Sequence, residues 1–368
     1  MKLFLVAGER SGDLHAGNLV SSLKKVNSEV EVVGFGGDYM KNAGAELLAH
    51  FKEFSVMGFL EVIKKLPTIR KYIKLCQSSI LSAKPDAVVL IDFAGFNMKI
   101  ASFCKKNNIK VVYYIPPKVW AWNTKRTLKL KKNVDLLLSI LPFEINFFKK
   151  WGLDAIYVGN PVNDEVNKYL ESGTNDSKAN HSDHKIVAVL PGSRKQEVLT
   201  IKPLIEEIAK QNPSIIFHLA GVDNLDPQIY SSLESIDNVI VKYNNTYDIV
   251  RGANAAIVMS GTATLETALL NIPQVVVFKT SKFTYLIAQL LVRVDFISLV
   301  NLITNKESVK ELVQKEATVE KVNAEMHRLI DDIDYRAQIL DDYALMKKNL
   351  GKKEASNMAA SKIFEFLQ

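Results

Sequence analysis

The sequence predicts an α/β protein built from two doubly wound parallel sheets in tandem, and three observations carry that reading. The chain has 368 residues, and single cores stop growing at roughly 250–300 residues, so two domains are expected. Short β-branched runs, apolar on both faces, alternate with segments of helical periodicity, the pattern of central parallel strands joined by crossover helices. A polar stretch, ESGTNDSKANHSDH (Glu171–His184), interrupts the alternation, which then restarts at once.

In the first half, strands are expected at LFLVA near Leu3, VEVVGF near Val30, AVVLID near Ala87, IKVVYYI near Ile109, VDLLLSI near Val134 and AIYVG near Ala155. Helical periodicity covers Ala16–Val26 and Leu60–Ile80. The second half offers KIVAVLPGS (Lys185–Ser193), SIIFHLA, NVIVKY, AAIVMS and PQVVVF. Architecture is repeated here, with no repeat of sequence. Phe283–Val292 reads as an apolar helix, and Glu316–Phe366 as mostly helical and rich in Lys and Glu. The expected division is a first domain over 1–170, a linker over 171–184, a second domain over 185–340 and a C-terminal helix within 341–368. That helix either packs back on the first domain or joins a partner subunit.

Composition agrees with two ordinary cores, at 48% hydrophobic and 24% charged residues. A net charge of +7 fits either a soluble basic protein or attraction to an anionic substrate or membrane surface. Lysine clusters at Lys64–Lys65, Lys129–Lys132 and Lys347–Lys353 are too short for a nucleic-acid arm. Cys76 and Cys104 form no metal or redox motif and read as small core residues of a reducing compartment. The opening apolar run is a first strand rather than a signal peptide, and no stretch reaches the ~18 apolar residues of a membrane span. The six histidines are scattered without zinc-like spacing and give no metal signal, and no cofactor is expected.

The motifs fall where strands end. AGERSGDLHAG (Ala7–Gly17) joins a strand to a helix beginning near Asp13 through a glycine turn, a shape suited to an anion or a sugar. Its spacing is neither GxGxxG nor a P-loop. Ser11 or Asp13 serves there as a cap or as a ligand contact, while Glu9 stands at the strand's carboxyl end, facing the crevice. Asp92, in VLIDFAGFN (Val89–Asn97), likewise follows a strand, where an acid is either a capping residue or a functional base, and a partly desolvated carboxylate suits the second. YYIPPKVWAWNTKR (Tyr113–Arg126) sets Trp120 and Trp122 on a proline-stiffened loop, fit for sugar rings, acyl chains or packing. LPGSRKQEV (Leu190–Val198) offers Gly192 and Ser193 near a helix start, with Arg194 either a phosphate ligand through its planar fork or an ion-paired surface arginine. MSGTATLETAL (Met259–Leu269) repeats that shape with Ser260, Gly261 and Thr262, and Glu266 one turn on.

Taken together, these motifs resemble the lipid-A-disaccharide synthase family of GT-B glycosyltransferases, in order and over nearly the whole chain. The pieces are AGERSGD, FSVMGFLEV (Phe54–Val62), Asp92–Asn97, VWAW (Val119–Trp122), LPFE (Leu141–Glu144), VGNPVND (Val158–Asp164), LPGSR, SGTATLE and DFISLVNLI (Asp295–Ile303). The resemblance implies two Rossmann-like domains with a cleft between them and a helical C-terminal tail. It implies an inverting, metal-independent hexosyltransferase of lipid A biosynthesis that joins UDP-2,3-diacylglucosamine to 2,3-diacylglucosamine 1-phosphate. The implied location is the cytoplasmic face of the inner membrane of a Gram-negative bacterium, held peripherally, with a homodimer as a further expectation and nucleic acid excluded. By position, Arg194, Ser193, Ser260, Gly261, Thr262, Glu266, Asn301 and Gln314 would hold UDP. Asp92 would be the base, with Glu9 and Asp13 as the other catalytic candidates. Ser11, Asn97, Trp120, Trp122 and Met57 would meet the substrates. Two departures stand out: many relatives read Asp-x-Pro-Asp-Phe-Asn where this chain has Ala94 and Gly95, and many carry histidine at Asn160. Other UDP-N-acetylglucosamine enzymes of this fold share the second-half motifs but lack AGERSGD and VWAW, and a non-catalytic relative is the remaining alternative. A nicotinamide oxidoreductase would need GxGxxG after the first strand; GFGGDYM (Gly34–Met40), the nearest approach, follows the second.

Overall fold

The computed structural model describes residues 1–54, 66–172, 184–223, 225–280, 285, 294–352 and 354–368. The chain divides into two compact units, Met1–Pro161 with Lys352–Gln368, and Val162–Gly351.

The first unit holds seven parallel strands: β1 (Lys2–Ala7), β2 (Glu31–Gly36), β3 (Glu46–His50), β4 (Ala87–Ile91), β5 (Lys110–Tyr114), β6 (Leu136–Ser139) and β7 (Ile156–Tyr157). Their order is β3-β2-β1-β4-β5-β6-β7. β1 and β4 are buried from Leu3 to Ala7 and from Ala87 to Ile91 because helices cover both faces of the sheet. The short edge strand β3 was not expected. Only Ala49 of its five residues is buried, so it lacks the apolar run that marks a central strand. The first helix, Arg10–Val26, starts three residues before the expected Asp13, with the extended Glu9 at its N-cap. It buries Ala16, Leu19, Val20 and Leu23 against β1 and its neighbours. Cys76 and Cys104 lie in the core on the opposite face of the sheet.

The C-terminal helix, Ala355–Leu367, belongs to this unit. Its small residues Ala359 and Ala360, with Ile363, are fully buried in the same cluster as Leu19 and Leu23. Ser22 Oγ donates to Asn357 Oδ1 at 2.7 Å, fixing the helix against Arg10–Val26.

The second unit holds β8 (Lys185–Leu190), β9 (Ile215–Gly221), β10 (Val239–Tyr243), β11 (Ala255–Met259), β12 (Gln274–Phe278) and β13 (Glu311–Val313), in the order β10-β9-β8-β11-β12-β13. All pairings in both sheets are parallel. Strand β13, three residues long, was also not expected. The helix Val319–Asp331 packs on β11 and β12 through Val322, Met326 and Leu329.

The units are bounded differently from the division expected. The helix Pro161–Glu171 falls almost wholly in the second unit, because the Tyr169 hydroxyl bonds Asp248 and its ring meets Tyr247 edge-on at 5.2 Å. The helix Ile333–Leu350 also stays there, with Tyr343 donating to Ile272 O at 3.2 Å and Lys347 to Asn271 Oδ1 at 2.8 Å. The return to the first unit therefore begins at Lys352, eleven residues later than the expected 341. The linker residues 173–183, Met57 with the rest of 55–65, and all of Phe283–Val292 except Tyr285 lie outside the described residues.

Candidate active site

In a doubly wound sheet, ligands meet the carboxyl ends of the strands where the strand order reverses. That point lies between β1 and β4 in the first unit and between β8 and β11 in the second. Ala7 pairs with Ile91, and Leu190 with Val258. So Glu9 and Asp92 leave neighbouring strand ends, as do Arg194 and Ser260. The sheet thus brings together two expected clusters, one within each unit.

The turn after β4 holds successive non-glycine residues in the left-handed region, Asp92 at φ 47° and Phe93 at φ 44°. Such conformations cost of order 1 kcal/mol or more each and persist only when the surroundings enforce them. The enforcement is visible. The Asp92 carbonyl accepts from Asn97 Nδ2 at 2.9 Å and from the Tyr113 hydroxyl at 2.7 Å, and the Asp92 amide donates to Tyr114 O at 3.3 Å. Burial, with the Asp92 charge second, pushes the Tyr113 hydroxyl well above its ordinary range, so it stays a donor. Phe93 stacks on Phe96 and presses on Gly8, where an added Cβ would stand 2.1 Å from the ring. Gly8 is therefore required by close approach, and Asn97, expected to meet substrate, is a fully buried clamp on the Asp92 backbone.

Asp13 differs from the role expected of it. It is 1% exposed, and its carboxylate accepts from Gly37 N at 2.7 Å, Tyr39 N at 3.0 Å and Met40 N at 3.2 Å. It caps the helix Asp38–Asn42, which is where GFGGDYM finds its use. A carboxylate with both oxygens committed to backbone amides is poorly placed to take a substrate proton. Glu9 is half-buried and Ser11 exposed at the same strand end.

Trp120 and Trp122 lie on the short helix Val119–Trp122, after β5. Trp120 Nε1 donates to Glu144 Oε1 at 2.9 Å, and its ring meets Phe143 edge-on at 5.0 Å. Glu144, in the helix Pro142–Lys150 after β6, also accepts from Ser139 Oγ. It is 1% exposed, and burial raises its carboxyl to about 7 against the opposing bonds from Ser139 and Trp120. Nothing local in the sequence marks Glu144 for this place, since its partner Trp120 lies 24 residues away. Trp122 is 42% exposed, and the Arg126 guanidinium sits 4.3 Å from its ring centre.

In the second unit, Gly192 at φ 103° turns the chain after β8, so only glycine fits without strain. Ser193 N and Arg194 N donate to Glu197 Oε2 at 2.9 and 3.1 Å, and Arg194 Nη1 pairs with Glu197 Oε1 at 2.8 Å, the ion-paired alternative for this arginine. Glu197, three residues into the helix Lys195–Gln211, thus holds the donors of the turn. After β11, Gly261 and Thr262 are exposed at the start of the helix Thr262–Leu269. Glu266 accepts from the Tyr247 hydroxyl at 3.1 Å, and burial raises its carboxyl.

Asn301 departs most from expectation. It is fully buried in the helix Leu299–Thr304: its Nδ2 donates to Val309 O at 2.9 Å and Glu311 Oε1 at 2.8 Å, and its Oδ1 accepts from Ser308 N and Val309 N. Glu311 in turn accepts from Ile297 N and Ser298 N, and Ser260 Oγ donates to Ile297 O at 3.1 Å. Asn301 therefore shapes the wall beside Ser260 rather than presenting a free amide. Gln314, at φ 53°, sets its side-chain amide against the Thr280 backbone, where the orientation that satisfies both groups accepts from N at 3.0 Å and donates to O at 3.3 Å.

Two Rossmann-like units with polar turns at both switch points define a GT-B glycosyltransferase fold, and solved structures agree. A Staphylococcus aureus MnaA–UDP structure matches with TM-score 0.70 at 15% identity, covering 100% of this chain and 96% of that one. The calicheamicin glycosyltransferase CalG4 matches with TM-score 0.65 at 14% identity, covering 100% and 98%. The family model described as lipid-A-disaccharide synthetase matches residues 3–364. Lipid-A-disaccharide synthases of Geobacter sulfurreducens (34% identical; 100% of this chain, 97% of theirs) and Syntrophus aciditrophicus (37%; 97% and 96%) align end to end. The chain belongs to the lipid-A-disaccharide synthase family and is a glycosyltransferase of lipid A biosynthesis.

Proposed function

We propose that the enzyme transfers 2,3-diacylglucosamine from UDP to the 6-hydroxyl of 2,3-diacylglucosamine 1-phosphate, giving the β-1,6 disaccharide 1-phosphate and UDP. One observation supports Asp92 as the base above Glu9 and Asp13. Its backbone is held in a left-handed turn by Asn97 and Tyr113 at the switch point, a strain the fold maintains at that residue. The carboxylate takes the proton from the 6-hydroxyl as that oxygen attacks the anomeric carbon. The bond from that carbon to the UDP oxygen breaks on the opposite face, and the electron pair leaves with UDP. The developing diphosphate charge falls to the guanidinium donors of Arg194 that Glu197 leaves open and to the turn at Ser260–Thr262. Glu9 and Ser11 line the acceptor side, with Trp120 and Trp122 against sugar or acyl groups.

Acylated substrates imply work at a lipid surface, and the net charge of +7 favours an anionic one. No helix among the described residues is long and apolar enough to cross a membrane, so the contact proposed is peripheral, on the cytoplasmic face of the inner membrane. The test is formation of the disaccharide and stoichiometric UDP from the two substrates in mixed micelles. UDP binding without disaccharide, at any acyl length, contradicts the reading.

A further inference from the structure

Beside the Asp92 turn, the helices Ala94–Lys106 and Thr127–Asn133 flank a cavity of about 690 Å³. Among the described residues six cations line it, Lys99, Lys105, Lys106, Arg126, Lys129 and Lys132, and no carboxylate does. Lys105 is neutralised by Asp135 at 2.5 Å. Lys99, Lys106, Lys129 and Lys132 have no carboxylate partner among the described residues. Uncompensated like charges around one cavity repel one another, a cost that a bound anion relieves. The floor is small and apolar, formed by Ala94, Gly95 and Met98 along one face of the helix. It begins two residues past Asp92, and Lys99 stands within about 10 Å of that turn along the helix axis.

We propose that this groove is a phosphomonoester site that holds the acceptor's 1-phosphate, with Lys99, Arg126 and Lys129 supplying the charge. The proposal rests on the transferase reading above. A single sugar ring separates the 1-phosphate from the 6-hydroxyl, which matches Lys99, one to two helical turns from the proposed base. Arg126 is already oriented by the Trp122 ring at 4.3 Å, so a phosphate bound there changes the surroundings of that indole.

The experiment titrates glucosamine 1-phosphate, and glucosamine as its uncharged-site control, into the full-length wild type and Lys99→Gln/Lys129→Gln, by calorimetry and tryptophan emission. Both residues are on the surface of helices, and equal melting temperatures check that both proteins fold. The expected result is that the variant binds glucosamine 1-phosphate at least about tenfold more weakly while its weak binding of glucosamine is unchanged. In turnover, the acceptor KM rises by a similar factor while kcat and the donor KM hold. Equal affinities of the two proteins for glucosamine 1-phosphate overturn the proposal. It is also overturned if only binding to phosphatidylglycerol vesicles falls, which assigns the cations to the lipid surface. Phosphate-dependent binding that is lost in the variant, in a protein that makes no disaccharide, supports the groove and contradicts the transferase reading instead.

Discussion

The indole N–H of Trp120 ends on Glu144 Oε1 at 2.9 Å, joining the VWAW turn after β5 to a buried acid after β6. Burial raises that acid from 4.5 to about 7. The folded chain therefore holds a proton that the unfolded chain releases between about pH 4.5 and 7. The stabilisation is fully present below that window and is lost as pH rises through 7, by up to about 3 kcal/mol. Glu144→Gln keeps an acceptor for Trp120 without the titration. Urea unfolding at pH 5 and 7 should show the wild type losing more stability than the variant. Identical pH slopes would contradict the assignment.

Asp13 gives a second prediction. Asp13→Ala leaves the amides of Gly37, Tyr39 and Met40 without their acceptor in a buried place, costing about 2–4 kcal/mol. The melting temperature should fall while kcat per folded molecule stays within a few-fold. A stable variant with kcat down a hundredfold would return Asp13 to the chemistry.

Asn301→Ala removes the pairing partner of Ser308 N, Val309 N and Val309 O, and loosens Glu311 from Ile297 and Ser298. Because Ser260 bonds Ile297, the expected outcome is a raised donor KM, by roughly tenfold, together with about 2 kcal/mol of lost stability. An unchanged donor KM would separate the two.

Much of the fold was legible in the sequence because the central strands are apolar on both faces, as β1, β4, β8 and β11 are. The edge strands β3 and β13 were not, since half-buried edges carry no such run. The positions of Asp92, Arg194 and Ser260 could be read from strand ends. Their partners could not. Glu197, Glu144 and Glu311 look like solvated charges until tertiary packing places them, and nothing in the sequence announces two successive positive φ angles at Asp92–Phe93. Asn301 shows the converse, a polar residue that reads as a ligand contact and is spent inside the fold.

Gly95 stands where the family resemblance implies an acid, and an added Cβ there meets nothing within 4 Å. Gly95→Asp should be tolerated within about 0.5 kcal/mol by thermal melting, at a helix start that favours an acid. If Asp92 is sufficient as the base, kcat changes by less than about threefold, well short of what general-base catalysis contributes. A rise of a hundredfold would mean that this chain lacks its base.

The most direct test of the account is turnover of the two acylated substrates by wild type and Asp92→Asn. Asparagine tolerates the left-handed backbone at φ 47°, so the turn survives while the carboxylate is lost. The account predicts a folded variant with donor KM unchanged and kcat lower by about 10²–10⁴. A variant that turns over within a few-fold of wild type would contradict Asp92 as the base and leave Glu9 as the carboxylate at that strand end.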